Sequence, residues 1–205
     1  MNGGSMYTLR NVPGKGKGLV ASENIPKGTR ILSETPVITT PGRQRNAEWL
    51  KTHIFEEVNS LDEHQRQSFL SMHNLYSYQN VVEQSLGIIR TNGLPIEADG
   101  IGGGVFLEAC RINHACDNNA SKNWNRCIER HTVHALRDIA EGEEITINYL
   151  GLDSSREVRQ KKLQEKFRFL CSCHLCSLPV EQSQESDKRL ERIDLLDDLV
   201  GSEER

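Results

Sequence analysis

The sequence predicts an α+β fold: short strands broken by turns, one helical insert, and a C-terminal part stapled by a metal. Three observations predict it. Short β-type runs alternate with turn signals from Tyr7 to about Thr40, and again from Val105 to Tyr149. Between them, apolar residues recur at helical spacing. Near the end stand Cys171, Cys173 and Cys176, a C-x-C-x-x-C cluster whose three thiolates are one ligand short of a tetrahedral zinc site.

The elements follow in chain order. Residues 1–6, Met-Asn-Gly-Gly-Ser-Met, read as an expression scar outside the fold. Gly18 to Ala21 is a β-type run. Ile25-Pro26-Lys27-Gly28 is a Pro-x-Gly turn, and it leads into a second run from Arg30 to Thr39. The insert covers about 43–90. Trp49, Leu50, Ile54, Phe55 and Val58 sit near helical spacing, and Ser60 with Glu63 has the form of a capping box opening a second helix through Phe69, Leu70 and Met72. A third helical stretch covers Asn80 to Ile89. Asp99 to Gly104 is a glycine-rich loop. Val105-Phe106-Leu107, Ala120 to Trp124, Ile128 to Leu136 and Ile145 to Tyr149 are short strands, the last behind a Glu141-Gly142-Glu143 turn. Ser154 to Phe167 is a charged helix within a metal-binding segment of residues 151–180. Residues 181–205 form an amphipathic helix: Leu190, Ile193, Leu196, Leu199 and Val200 fall on roughly one face from Ser183 to Val200, with Ser186 as the cap. It runs almost to Arg205, so the natural chain is expected to continue.

The cysteine cluster needs a fourth ligand from elsewhere, and Cys116, in Asn113-His114-Ala115-Cys116, is the best candidate. If it closes the site, zinc ties the tail to the middle of the chain. His174 inside the cluster and His114 beside Cys116 compete for the role, and free, unrelated thiols are the plain alternative. Six cysteines in 205 residues are too sparse for a disulfide scaffold. Nothing in the N-terminal residues resembles a charged-then-apolar secretion signal. A reducing compartment, cytoplasmic or nuclear, is expected. No apolar run approaches the ~20 residues of a membrane span. The net charge of −4 argues against nucleic acid as the main ligand and is compatible with a cationic one such as a lysine side chain. A monomer is favoured.

Four segments then resemble a known family in their order. They are Gly16-Lys17-Gly18-Leu19-Val20-Ala21, Arg111-Ile112-Asn113-His114-Ala115-Cys116-Asp117-Asn118-Asn119-Ala120, Gly142-Glu143-Glu144-Ile145-Thr146-Ile147-Asn148-Tyr149, and Cys171-x-Cys173-x-x-Cys176. In that order they resemble the SET-domain lysine methyltransferases, over roughly Tyr7 to Cys176. The likeness is to the fungal SET and SET-and-MYND branch, without a MYND zinc module. It implies a SET domain at 7–150, with short β-sheets, a threaded pseudoknot-like core and the helical insert, followed by a zinc-bound post-SET tail.

The resemblance also implies site residues. Gly16, Lys17 and Gly18 would receive the carboxylate and amine end of S-adenosylmethionine; small residues there let backbone N–H groups approach an anion. Asn113 and His114 would contact the cofactor, with Asn92 as a further match, and Phe169 would stack on its adenine. Tyr149 would be the catalytic tyrosine that orients the amine, with Phe167 lining the lysine channel. Two departures stand out. Asn118 replaces the usual proline, which frees a φ angle. Phe167 replaces a frequent tyrosine, which removes a channel hydroxyl and points to di- or trimethylation.

The expected activity is therefore protein-lysine N-methyl transfer with S-adenosylmethionine and Zn2+, onto a histone or non-histone protein. Two other readings stay open at the level of sequence: a SET-like binding or regulatory module with weak turnover, and N-methyl transfer onto a small amine or metabolite.

Overall fold

A computed structural model describes residues 5–40, 42, 46–96, 102–150 and 155–202, arranged as two compact units, residues 1–113 with 119–147 and residues 114–118 with 148–205. Most of the expected scar, the first residues of the insert, Asp99 to Ile101, Ser154 and the last residues of the chain lie outside the described residues.

The first unit opens with a hairpin of β1 (Tyr7–Val12) and β2 (Gly16–Ala21), in register from Tyr7 opposite Ala21 to Val12 opposite Gly16. The intervening turn closes with Lys15 N–H on the Val12 carbonyl at 3.1 Å. Gly14 and Gly16 hold φ of 74° and 79° there, a region open to glycine at little cost. The Pro26–Gly28 turn forms as expected, with Thr29 N–H on the Pro26 carbonyl at 3.1 Å. The predicted run from Arg30 to Thr39 is two strands, β3 (Arg30–Glu34) and β4 (Ile38–Thr40). Pro36 lies between them, and a proline cannot donate to a ladder.

The insert consists of α1 (Ala47–Ser60), α2 (Glu63–Leu70) and α3 (Val81–Asn92). The cap of α2 is not Ser60 with Glu63. Asp62 accepts from Gln65 N–H at 2.8 Å, and the Gln65 side chain accepts from Asp62 N–H at 3.2 Å. Leu61 is buried and extended, so the helix restarts after it, and the Ser60 hydroxyl turns back to the Glu57 carbonyl at 2.7 Å.

Further strands are β5 (Leu94–Pro95), β6 (Gly103–Val105), β7 (Asn113–His114), β8 (Ala120–Asn125), β9 (Arg130–Ala135) and β10 (Thr146–Ile147). Gly103 and Gly104, expected in a loop, are strand residues, and Phe106 and Leu107, expected in a strand, follow it. Tyr149 likewise lies beyond β10, in a bend. The sheets are β1-β2, β3-β9-β8, β4-β6-β5 and the pair β10-β7. Ile54, Val58, Leu61, Phe69, Met72 and Ile88 of the insert pack with Ile38 of β4 and Val105 of β6 into one core. The insert is thus part of the first unit's interior, and burial of several such side chains contributes about 1.5–3 kcal/mol each.

The second unit holds α4 (Arg156–Phe167) and α5 (Val180–Ser202). Ser155 caps α4, its hydroxyl accepting from Val158 N–H at 3.4 Å. Asp187 of α5 accepts from Arg156 N–H at 3.0 Å and so serves the same helix end. Ser186, expected as a cap, lies inside α5, which begins earlier at Val180. Ile193, Leu196 and Leu199 of its expected apolar stripe are exposed. The core of this unit is small: Ala115 and Leu163 with the buried Cys171, Cys173 and Cys176, flanked by Cys116, Leu150, Phe167, Phe169 and Leu175. Among the described residues no helix is long and apolar enough to cross a membrane.

Candidate functional site

In the first unit the predicted glycine segment is built around a close approach. A Cβ added to Gly18 would lie 2.5 Å from Asn113 Nδ2 and 3.1 Å from Glu144 Oε1, so no larger residue fits without displacing Asn113. The Asn113 amide nitrogen donates to Glu144 Oε1 at 2.9 Å and to the Lys17 carbonyl at 3.3 Å. The other oxygen of Glu144 pairs with Lys15 Nζ at 2.7 Å, and both side chains are mostly shielded from solvent. Gly18 and Asn113 are therefore brought together by the fold. Lys17 contributes its carbonyl to this cluster and is itself exposed.

Lys15 and Glu144 were not singled out by the sequence. Glu144 is one of two adjacent glutamates, and the structure separates their roles. Glu143 accepts from Asn119 at 2.8 Å and pairs with Arg137 at 2.6 Å. Asn119, almost wholly buried, also donates to the Glu144 carbonyl at 2.8 Å and accepts from Thr146 N–H at 2.8 Å. This fixes the backbone that carries Glu144. Nothing in a Gly-Glu-Glu turn tells one carboxylate from the other.

Asn92 ends α3. Its amide nitrogen is engaged by the Ile88 carbonyl at 2.7 Å and the His73 carbonyl at 2.8 Å, and its carbonyl accepts from Cys110 Sγ at 3.2 Å. These contacts fasten the end of α3. Burial pushes the Cys110 thiol up to about 12, which leaves it a neutral packing group.

In the second unit four rings form a continuous set. His114 and Tyr149 have centroids 5.3 Å apart, Tyr149 and Phe167 4.9 Å, Phe167 and Phe169 6.4 Å, and His114 and Phe169 6.1 Å, all in tilted geometry. The buried His114 holds this set. Tyr149 N–H donates to its Nδ1 at 3.1 Å. Because Nδ1 accepts, the neutral ring carries its proton on Nε2, which donates to Cys116 Sγ at 3.3 Å. Both ring nitrogens of His114 are thus used within the protein.

Cys116 Sγ in turn lies 4.0 Å from Cys171 Sγ and 3.5 Å from Cys176 Sγ, and all four sulfurs, with Cys173, lie within 4.8 Å of one another. A tetrahedron with metal–sulfur bonds of about 2.3 Å has sulfur–sulfur edges of about 3.8 Å, so the set fits a zinc ion. Among the described residues this is the only such group of three or more His, Cys, Asp or Glu ligand atoms. His174, the rival ligand, points to Asp117 at 3.5 Å and is mostly exposed. The sulfurs also share protons unequally. Hydrogen bonding to Cys171 raises the Cys116 thiol, while the bond from Cys116 draws Cys171 down and Cys173 to about 6. A metal takes up such cysteines as thiolates.

One residue here escaped the sequence reading altogether. Arg159 of α4 is 6% exposed, with Nη2 4.0 Å from Cys176 Sγ. A signal existed: Arg159, Leu163 and Phe167 are spaced by four along the helix, so the arginine occupies a core-facing position.

Comparison with known proteins identifies the family. A family model described as "SET domain" matches residues 16–150. The chain is 36% identical over 173 residues to the histone-lysine N-methyltransferase set5 of Schizosaccharomyces pombe, covering 84% of this chain and 51% of that protein. It is 24% identical over 196 residues to the N-lysine methyltransferase SMYD2 of Gallus gallus, covering 89% and 43%. Over 78 residues it is 41% identical to the protein-lysine N-trimethyltransferase SMYD5 of Danio rerio, covering 37% and 19%. The chain thus spans about half the length, or less, of these curated relatives.

Proposed function

The chain belongs to the SET-domain family, and from that premise we propose that it is an S-adenosylmethionine-dependent protein-lysine N-methyltransferase. The observation that carries this reading is the mounting of Tyr149. Its backbone is bound to a buried histidine and its ring lies against Phe167, so a phenol is held in one place among apolar rings. Such fixing is what an in-line transfer needs, since alignment supplies much of the rate.

Bound S-adenosylmethionine supplies an electrophilic methyl on a sulfonium. The chain's own residues do the rest. Gly16 leaves open space for the cofactor's amino-acid end, and Gly18 gives room to Asn113, which is steadied by Glu144 and Lys15. Phe169 offers a face for the adenine. The lysine amine, with an ordinary pKa of about 10.4, has to lose its proton to attack, and the rings around Tyr149 disfavour the charged form. The Tyr149 hydroxyl then orients the lone pair. Cys116, Cys171, Cys173 and Cys176 would hold one zinc ion as a structural staple. Asn92 remains a proposed cofactor contact through atoms its helix-end bonds leave over.

The substrate is a protein lysine. The names of the relatives from Schizosaccharomyces pombe and Danio rerio support a histone or another protein, and a histone substrate would put the chain in the nucleus. With Phe167 beside Tyr149, di- or trimethyl product is proposed. The test is incubation with isotope-labelled S-adenosylmethionine, histones and cell lysate, read by mass spectrometry. Methyl-lysine on a discrete substrate is expected. Cofactor binding by calorimetry with no transfer to any protein would instead make the chain a binding module.

A further inference from the structure

We propose that Arg159 is the counter-charge of the four-cysteine centre: its guanidinium donates to Cys176 as a metal-bound thiolate and slows the departure of the metal. The proposal rests on the zinc reading above and goes beyond the four ligands.

The first observation is burial. Among the described residues, Arg159 is the only Arg, Lys, Asp or Glu in the buried class. A guanidinium cannot shed its charge, so it stays in such a place only beside anions. The second is what faces it. Nη2 lies 4.0 Å from Cys176 Sγ, and Nη1 lies 3.9 Å from Asp187 Oδ1, so the two prongs of the fork reach two acceptors.

The third observation is the chemistry of the donor set. Four thiolates around one dication leave two negative charges in excess, in a place where Cys171, Cys173 and Cys176 are all buried. The His114 Nε2–H bond to Cys116 relieves part of this. Arg159 brings a full positive charge to a second sulfur. An N–H donor on a thiolate lowers its affinity for a proton and for an electrophile, the two events that detach a cysteine from a metal. Asp187 faces the opposite prong and also accepts from Arg156 N–H at 3.0 Å, so it serves the start of α4 as well as the arginine.

The test uses the full zinc-loaded chain and follows zinc release to an excess of a chromogenic chelator at neutral pH. Arg159→Met removes charge and donors at similar volume. Arg159→Gln keeps N–H donors without the charge. Release about tenfold faster than in the parent is expected for both, with Arg159→Lys restoring most of the parental rate. Alkylation by N-ethylmaleimide, mapped by mass spectrometry, should speed up at Cys176 in the same two variants. If Arg159→Met does not fold, Arg159→Gln decides. Parental release from Arg159→Gln overturns the counter-charge. So does Asp187→Asn releasing zinc as fast as Arg159→Gln, since the effect would then be one of packing between α4 and α5. A parent protein purified without zinc overturns the metal reading and this proposal together, whereas a zinc-loaded parent with unaffected variants overturns this proposal alone.

Discussion

Asn113, in the first unit, is held by a lysine–glutamate pair and by a glycine that gives it room, within a fold that has an apolar core of its own. Tyr149, in the second, is held by a histidine whose other nitrogen rests on a cysteine sulfur, and three of the buried core residues around it are metal-ligand candidates. The first arrangement survives as long as Ile38, Ile54, Phe69, Ile88 and their neighbours stay packed. The second has little apolar area to rely on. The contrast teaches that the two units should fail under different stresses: the first through loss of packing or protonation of its interior, the second through loss of metal.

The largest expected effect tests that contrast directly. Cys173→Ser, or removal of zinc by a chelator, should unfold the second unit, since a structural zinc contributes on the order of 10 kcal/mol in small domains. Hydrogen exchange should show lost protection in α4 and around Cys171 to Cys176, with protection in α1 to α3 retained. Equal loss in both units would break the comparison.

Acid should also act on the first unit, by a route that needs no metal. Burial, aided by the positive charge of Lys122, lowers His131 to about 4, and its ring packs 4.9 Å from that of Phe106. The folded state keeps this ring neutral while the unfolded chain protonates near pH 6.5. Its stability is therefore complete above about 6.5, falls as pH drops toward about 4, and is level below that. The loss is about 3 kcal/mol. Urea unfolding of the parent and of His131→Phe at pH 7 and pH 4.5 should show a smaller pH dependence in the variant; identical slopes would remove His131 from the account.

Next come the two predicted site residues themselves. Tyr149→Phe should cut methyl transfer by about a hundredfold with cofactor affinity near normal, because the hydroxyl serves an amine absent from the binary complex. Asn113→Ala should weaken cofactor binding by about 1–3 kcal/mol, as Glu144 is left with an unmet acceptor. Calorimetry and single-turnover transfer on both variants separate the roles, and a binding defect in Tyr149→Phe would contradict the assignment. The smallest effect is one of product. Phe167→Tyr should return a hydroxyl beside Tyr149 and shift product toward monomethyl-lysine without stopping the first transfer. Time-resolved mass spectra of a substrate peptide check it, and monomethyl product alone from the parent would refute it.

The grouping of the cysteines and the glycine turn were legible in the sequence, because cysteine spacing and short glycine turns carry their geometry locally. Cys116 joined Cys171, Cys173 and Cys176 as expected from the ligand count. Elsewhere longer-range packing decided. Two capping patterns overlap between Ser60 and Gln65, and the burial of Leu61 selects the later one. The strand from Arg30 to Thr39 reads as continuous in β-propensity, yet its halves join different sheets. Arg159 and Glu144 were hidden for a common reason. A charged residue in a charged stretch is ordinarily solvated, and only a tertiary partner turns it into part of a site.

Cys116 and Cys171 are 55 residues apart in the chain. During synthesis at about 5–20 residues per second, the first sulfur of the centre emerges roughly three to eleven seconds before the second. Over that interval a metal ion would find one sulfur of the set and no site, and Tyr149 would emerge with no finished scaffold behind it. The last cysteine made, Cys176, completes the set and is also the one that Arg159 faces. Assembly of the second unit is thus timed by how much chain has been made, and α4, however well capped, waits on a residue made after it.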